Sequence, residues 1–197
     1  MTHSLAASPS TTSRALGAAG ILGGAVLLAA FLLEIPAGVN DLRIVLYLLG
    51  AIAVVVAVHH RQVDASPTLA RVVAIAAVVA NASVLLREVL PYGPWHPFAG
   101  DNGLILFYAE VAMWLTDAAF GIVTLRLGVV TRWGALALAI GSLLAITGID
   151  RLGLTSQANP TIFGPLSQIG IALNGIGWIL LGLDVATRGR TAGPRPR

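Results

Sequence analysis

Two stretches decide the fold of this chain: ALGAAGILGGAVLLAAFLL at Ala15–Leu33 and IFGPLSQIGIALNGIGWILLGL at Ile162–Leu183. The first holds nineteen consecutive uncharged residues, and the second holds twenty-two. A helix of about 20 apolar residues matches the hydrocarbon thickness of a bilayer. The two stretches therefore predict membrane-spanning helices near both ends of the sequence.

Four further apolar stretches lie between these two, so the sequence predicts an all-α, polytopic membrane bundle of six transmembrane helices. The predicted spans are residues 15–36, 42–60, 69–90, 103–126, 133–150 and 162–186. Together they form one transmembrane domain over residues 15–187. Residues 1–14 are rich in Ser and Thr and predict a disordered N-terminal tail, and residues 188–197 predict a basic disordered C-terminal tail.

Composition supports a membrane protein and excludes several kinds of site. The chain has 197 residues, of which 56% are hydrophobic and 11% are charged, whereas soluble domains carry about 25% charged residues. The lack of cysteine excludes disulfides, thiolate metal sites and cysteine nucleophiles. The adjacent His59 and His60 point about 100° apart on a helix and do not form a chelating pair. The sequence predicts no cofactor, no metal site and no catalytic motif.

The arginines predict how the bundle is oriented. All twelve basic residues are arginine, and basic residues are in excess on the cytoplasmic side of membrane proteins. With a cytoplasmic N-terminus, Arg43, Arg87 and Arg151 fall outside and nine arginines fall inside. The inner ones are Arg14, Arg61, Arg71, Arg126, Arg132, Arg188, Arg190, Arg195 and Arg197. Both termini are thus predicted to be cytoplasmic, with anionic lipid headgroups, and not nucleic acid, as partners of these cations.

The overall residue usage predicts a location. Richness in Ala, Gly, Val and Arg without lysine resembles proteins of high-GC bacteria, so a multi-pass protein of the bacterial inner (plasma) membrane is expected. A homo-oligomer and a complex with another membrane subunit both remain open.

Small residues recur at helical spacing and predict the helix–helix contacts. Lipid tails are as apolar as leucine, so close packing at small residues drives association instead. The predicted stripes are Gly17, Gly20 and Gly24 in the first span, Ala74, Ala77 and Asn81 in the third, Gly141, Ala145 and Gly148 in the fifth, and Ser167, Gly170, Asn174, Gly177, Leu181 and Asp184 in the sixth.

Two acidic residues inside the fourth span give the candidate site. Glu110 and Asp117 are seven residues apart, so they share a helix face about 10.5 Å apart along the axis. An ionisable residue within a span marks a functional or paired site. One interpretation is a polar seam of Asn81, Glu110, Asp117 and Asn174 that binds or transports a small solute or a proton. The other is a non-catalytic accessory or structural subunit, in which Glu110 pairs with Arg87 and Asp117 bonds to Asn81 or Asn174.

A third interpretation is a membrane-embedded enzyme that acts on a lipid at the outer face. It would use Glu88, His96 and Asp101. These groups are scattered along a loop region, so the sequence supports this interpretation least.

Overall fold

The computed structural model describes residues 10–33, 42–90, 103–149 and 163–188. The six α helices of these segments are α1 (Thr11–Leu32), α2 (Leu42–Gln62), α3 (Pro67–Val89), α4 (Gly103–Leu127), α5 (Arg132–Ala145) and α6 (Phe163–Thr187). A 3-10 turn at Ile146–Gly148 extends α5. The predicted all-α class is confirmed.

Helix α1 begins at Thr11, four residues before the start of the first predicted span, so it includes residues 11–14 of the predicted N-terminal tail. The hydroxyl of Ser10 accepts a hydrogen bond from the backbone N–H of Ser13 at 3.1 Å. A serine in this position caps a helix N-terminus. The Ser/Thr-rich composition of residues 1–14 gave no indication that Ser10 has this role. The other residues of the two predicted tails, 1–9 and 189–197, lie outside the described residues.

Proline and glycine set the other helix ends. Pro67 opens α3, at a position where a missing N–H costs no helical hydrogen bond. Leu90, which precedes Pro91, is extended and ends α3, as expected for a residue before proline. Gly128 follows α4 with a φ of +64°, the left-handed conformation that commonly terminates a helix.

The six helices form a closed ring in chain order. Each helix packs on the next, and α6 packs on α1 to close the ring. Gly17 faces Gly182 and Gly24 faces Gly175 across the closing interface. Because the partner number falls as the residue number rises, α1 and α6 are antiparallel. These glycines let the two backbones approach closely, as in other membrane helix pairs.

The predicted stripe on α6 faces α5. A Cβ on Gly177 would lie 2.7 Å from the backbone nitrogen of Leu138, and one on Gly170 would be crowded even more closely by the backbone nitrogen of Ala145. Gly148 lies against Ser167. The small residues predicted on the fifth and sixth spans are therefore confirmed as one helix–helix interface.

The stripe predicted on α1 is divided between two neighbours. Gly17 and Gly24 face α6, whereas Gly20 packs on Val54 of α2. Positions three apart on a helix differ by about 60° around the axis, and α1 lies between α2 and α6 in the ring. The single contact face expected from the sequence is therefore wrong for Gly20.

Within the described residues, four of the helices are long and apolar enough to cross a membrane. These candidate spans are Thr11–Ala30, Leu42–Gln62, Pro67–Val89 and Gly164–Thr187. Helix α4 has 25 residues, but Glu110 and Asp117 lower its hydropathy, and α5 is shorter. The side of α3 away from the bundle is apolar, with Leu69, Val72, Ile75, Val79 and Leu86 exposed.

Candidate functional site

The first element of the site is a hydrogen bond between α3 and α4. The amide nitrogen of Asn81 donates to Oδ1 of Asp117 at 2.8 Å and to the backbone oxygen of Ala77 at 2.9 Å. Both Asn81 and Asp117 are completely buried. Because Ala77 lies one turn earlier on the same helix, α3 itself fixes the direction of the Asn81 amide.

The second element joins α2, α6 and α5. The hydroxyl of Tyr47 donates to Oδ1 of Asn174 at 3.0 Å. The amide nitrogen of Asn174 donates to Oγ of Ser142 at 2.9 Å, and that hydroxyl donates to the backbone oxygen of Leu138 at 2.7 Å. The sequence therefore placed Asn174 correctly on a contact face, but its partners are Tyr47 and Ser142, not Asp117.

The two elements adjoin at an aromatic contact between α4 and α6. Phe120 lies one turn after Asp117 on α4, and Trp178 lies one turn after Asn174 on α6. Trp178 stacks on Phe120 of α4, with ring centroids 6.3 Å apart. We call the resulting group the central polar cluster: Tyr47, Asn81, Asp117, Ser142, Asn174 and Trp178.

Three buried polar atoms of this cluster have no hydrogen-bond partner within the described residues. They are Oδ1 of Asn81, Oδ2 of Asp117 and Nε1 of Trp178. Buried polar atoms are nearly always paired in folded proteins, and leaving one bare costs free energy. The cluster therefore retains two acceptors and one donor that further polar groups can satisfy.

Glu110 lies outside the central polar cluster. It forms an ion pair with Arg87, which also forms an ion pair with Glu88, with Nε 2.9 Å from Oε1. The side chain of Glu110 is 33% exposed, whereas that of Glu88 is 2% exposed. The expected contacts of Arg87 with Glu110 and of Asp117 with Asn81 are both present. A single seam that holds both acids is not, because each acid has a separate partner on α3.

At the opposite end of the bundle, α2 binds the end of α6. The guanidinium of Arg61 lies 3.5 Å from the carboxylate of Asp184 and donates to the backbone oxygen of Val185 at 3.0 Å. The next residue, Gln62, is buried and donates to the hydroxyl of Thr124 on α4 at 2.7 Å. Arg61 therefore satisfies carbonyl groups at the C-terminus of α6, where helices lack internal partners.

Sequence reasoning missed Tyr47, Ser142 and Trp178. Trp178 carried a usable signal, because tryptophan in membrane helices concentrates at the headgroup level and this one lies well inside its span. Ser142 carried little signal, since a serine hydroxyl can always bond to the preceding turn of its own helix. Of the residues assigned to a lipid-acting enzyme, Glu88 is engaged with Arg87, and His96 and Asp101 lie outside the described residues.

No protein-family model, curated protein or solved structure matches this chain. Among the described segments, no three or more His, Asp or Glu side chains come together in a way that could hold a metal ion. The central polar cluster instead offers hydrogen-bonding groups and one carboxyl between five helices. That arrangement can bind a small polar group or hold a proton.

Proposed function

We propose that this chain is a six-span protein of the plasma membrane that binds a small polar solute or a proton at the central polar cluster, as part of binding or transport. One observation carries the proposal: Asp117 is fully buried near the middle of α4 with Oδ2 unpartnered. A charged group at the bilayer centre costs about 2.5–3.5 kcal/mol on insertion scales. An ionisable residue at this depth of a span is by default the sign of a site that acts on a ligand or a proton.

The distribution of arginines supports a six-span orientation with both termini in the cytoplasm. Since successive helices alternate in direction, Arg14, Arg61, Arg71, Arg126, Arg132 and Arg188 lie at one end of the ring. Basic residues favour the cytoplasmic side and attract anionic headgroups there. We therefore assign this end of the bundle to the cytoplasm and to anionic lipid. We also propose that α4 and α5 cross the membrane. Crossing by α4 is compatible with its two acids because both have partners on α3 and do not face lipid.

Cysteine labelling tests whether the central polar cluster is reached by water. The chain has no native cysteine, so Asp117→Cys introduces a single thiol. If solutes enter the cluster, this thiol should react with a small polar thiol reagent in the folded protein. Ala118→Cys is the matched control, because Ala118 is the next residue and is 3% exposed. An unreactive thiol at position 117 contradicts entry of a solute into the cluster.

A second candidate function is an accessory membrane subunit with no ligand. The bond from Asn81 to Asp117 and the ion pair of Arg87 with Glu110 favour it, because both acids then secure helix packing within the chain. This function predicts that Asp117→Cys is inert. It also predicts that Asp117→Asn keeps the thermal stability, since an amide oxygen can still accept the bond from Asn81. Reactivity at position 117 rules out this candidate.

A further inference from the structure

We propose that the central polar cluster selects a small cation with N–H donors, such as ammonium or a primary alkylammonium. The inference rests on the proposed function and specifies its ligand class. It follows from the direction of the hydrogen bonds, the charge of the cluster and the aromatic rings beside it.

Backbone carbonyls fix the direction of the hydrogen bonds. A carbonyl oxygen can only accept, so Ser142 donates to Leu138 and must accept from Asn174. The amide oxygen of Asn174 then faces Tyr47, whose only proton is given to it. Tyr47 therefore presents lone pairs, not a proton, toward the remaining groups of the cluster.

The same reasoning applies to Asn81. Its amide nitrogen donates to the carbonyl of Ala77 and to Asp117, which leaves Oδ1 as an acceptor. Oδ2 of Asp117 is the second acceptor. The one bare donor is Nε1 of Trp178. Two of the three unpaired atoms are thus acceptors, and a ligand that satisfies both must supply at least two donors.

Charge selects a cation among ligands with two donors. Asp117 is the one carboxyl group of the central polar cluster. Of the arginines in the described segments, Arg87 is engaged by Glu88 and Glu110 at one end, and Arg61 by Asp184 at the other. A buried carboxylate is stabilised by an opposite charge within contact distance. A bound ammonium group would supply that charge together with its N–H donors.

An aromatic pair, Trp178 on α6 and Phe120 on α4, adjoins the central polar cluster. Trp178 is completely buried and stacks on Phe120, which is also completely buried. The face of tryptophan attracts cations more strongly than other aromatic rings, and ammonium groups are common ligands of such sites. A carboxyl group beside buried aromatic rings therefore favours an ammonium ion over a neutral amide of the same size.

Titration calorimetry of the full chain in lipid nanodiscs tests the inference, with methylammonium chloride as the probe. Saturable binding is expected for the unmodified chain. Asp117→Asn should weaken it by about tenfold or more through loss of the charge, and Phe120→Leu by about threefold through disruption of the ring stack. Glu110→Gln is the matched control and should leave binding unchanged, because Glu110 lies outside the cluster. Asn81→Ala should also weaken binding, which provides a second variant if Asp117→Asn does not fold.

Other titrants separate failure of the inference from failure of the proposed function. Binding of urea that depends on Asp117 would keep the proposed function but overturn the cationic ligand. Sodium binding as tight as methylammonium binding would overturn the need for N–H donors. Proton uptake that depends on Asp117, without binding of either cation, would overturn the ammonium ligand and keep the proposed function with a proton as the ligand. No binding of any titrant, together with an inert Asp117→Cys, would overturn both the inference and the proposed function.

Discussion

Asn81 on α3 and Asp117 on α4 are joined by a hydrogen bond of 2.8 Å, and neither side chain is exposed. Farther along the same interface, the ion pair of Arg87 with Glu110 joins the same two helices in a half-exposed setting. At this interface Asp117 therefore accepts a hydrogen bond from the neutral amide of Asn81, whereas Glu110 pairs with the cationic guanidinium of Arg87. Oδ2 of Asp117 has no hydrogen-bond partner, whereas Arg87 forms ion pairs with both Glu110 and Glu88.

This network predicts that Glu88 matters more to stability than Glu110. Glu88→Gln should lower the free energy of unfolding by about 1–3 kcal/mol, because the residue is buried and its ion pair with Arg87 is lost. Glu110→Gln should cost less, because Arg87 keeps Glu88 and the Glu110 side chain is 33% exposed. Thermal unfolding in detergent compares the two variants. A larger loss for Glu110→Gln would show that Glu110 is the main partner of Arg87.

The interface between α5 and α6 predicts strong sensitivity at Gly177. A Cβ there would lie 2.7 Å from the backbone nitrogen of Leu138, so Gly177→Leu must push α5 away. Overpacking of this kind costs about 1–3 kcal/mol and should lower the thermal unfolding temperature in detergent. Ile176→Phe is the matched control, because Ile176 is the preceding residue, is 36% exposed and faces away from α5. Equal losses for the two variants would show that α5 does not pack on this face.

The helices and most of their contact faces follow from local sequence. Apolar length sets where a span lies, and the helical period sets which small residues share a face, so the stripes at Gly170 and Gly177 were predictable. The neighbour that each face meets was not. Gly20 and Gly24 share one side of α1 but contact different helices, because the ring closes through contacts between the first and last helices of the chain.

The polar site was predictable only in part, for a related reason. An acid such as Asp117 is recognisable in a span because its burial is costly. Burial of a tyrosine or serine side chain costs much less free energy than burial of a carboxylate. The sequence therefore does not identify Tyr47 and Ser142 as site residues before their partner Asn174 is located. Arg87 and Glu110 could be matched from their depth in adjacent spans. Arg61 and Asp184 belong to α2 and α6, which are distant in the sequence, and their pairing depends on closure of the ring.

Closure of the ring predicts a specific cross-link between α1 and α6. A Cβ on Gly17 would lie 2.8 Å from Cβ of Ala186. This is closer than the about 3.5–4.5 Å between Cβ atoms in disulfides, so α1 and α6 must separate slightly to accommodate the bond. Gly17→Cys with Ala186→Cys should form an intramolecular disulfide under mild oxidation, visible as a mobility shift on non-reducing gels. Gly17→Cys with Leu183→Cys should not, because Leu183 is 42% exposed on another side of α6. Cross-linked dimers alone would place this interface between two copies of the chain.

The contact of Arg61 with the end of α6 predicts unequal roles for two arginines that bind Asp184. The Arg61 side chain is 11% exposed and that of Arg188 is 59% exposed. Arg61→Gln should lower stability by about 1.5–3 kcal/mol, since charge-assisted bonds to buried carbonyl groups are lost. Arg188→Gln should cost at most about 1 kcal/mol, as for other exposed ion pairs. Thermal unfolding of the two variants checks the order, and the reverse order would contradict a capping role for Arg61.

Orientation in the membrane gives the last prediction. Three single-cysteine variants test it. Ser66 lies between α2 and α3, at the arginine-rich end of the bundle. Gly100 belongs to the segment between α3 and α4, and Ala192 follows α6. If the excess of arginine sets the topology, a membrane-impermeant thiol reagent should label only Gly100→Cys in intact cells. Lysed cells are the control, in which all three positions should react. Labelling of Ala192→Cys alone in intact cells would reverse the orientation. Labelling of both Gly100→Cys and Ala192→Cys would put the two positions on the same side and indicate an even number of spans between them. Because α4, α5 and α6 separate those two positions, this second result would mean that one of these three helices does not cross.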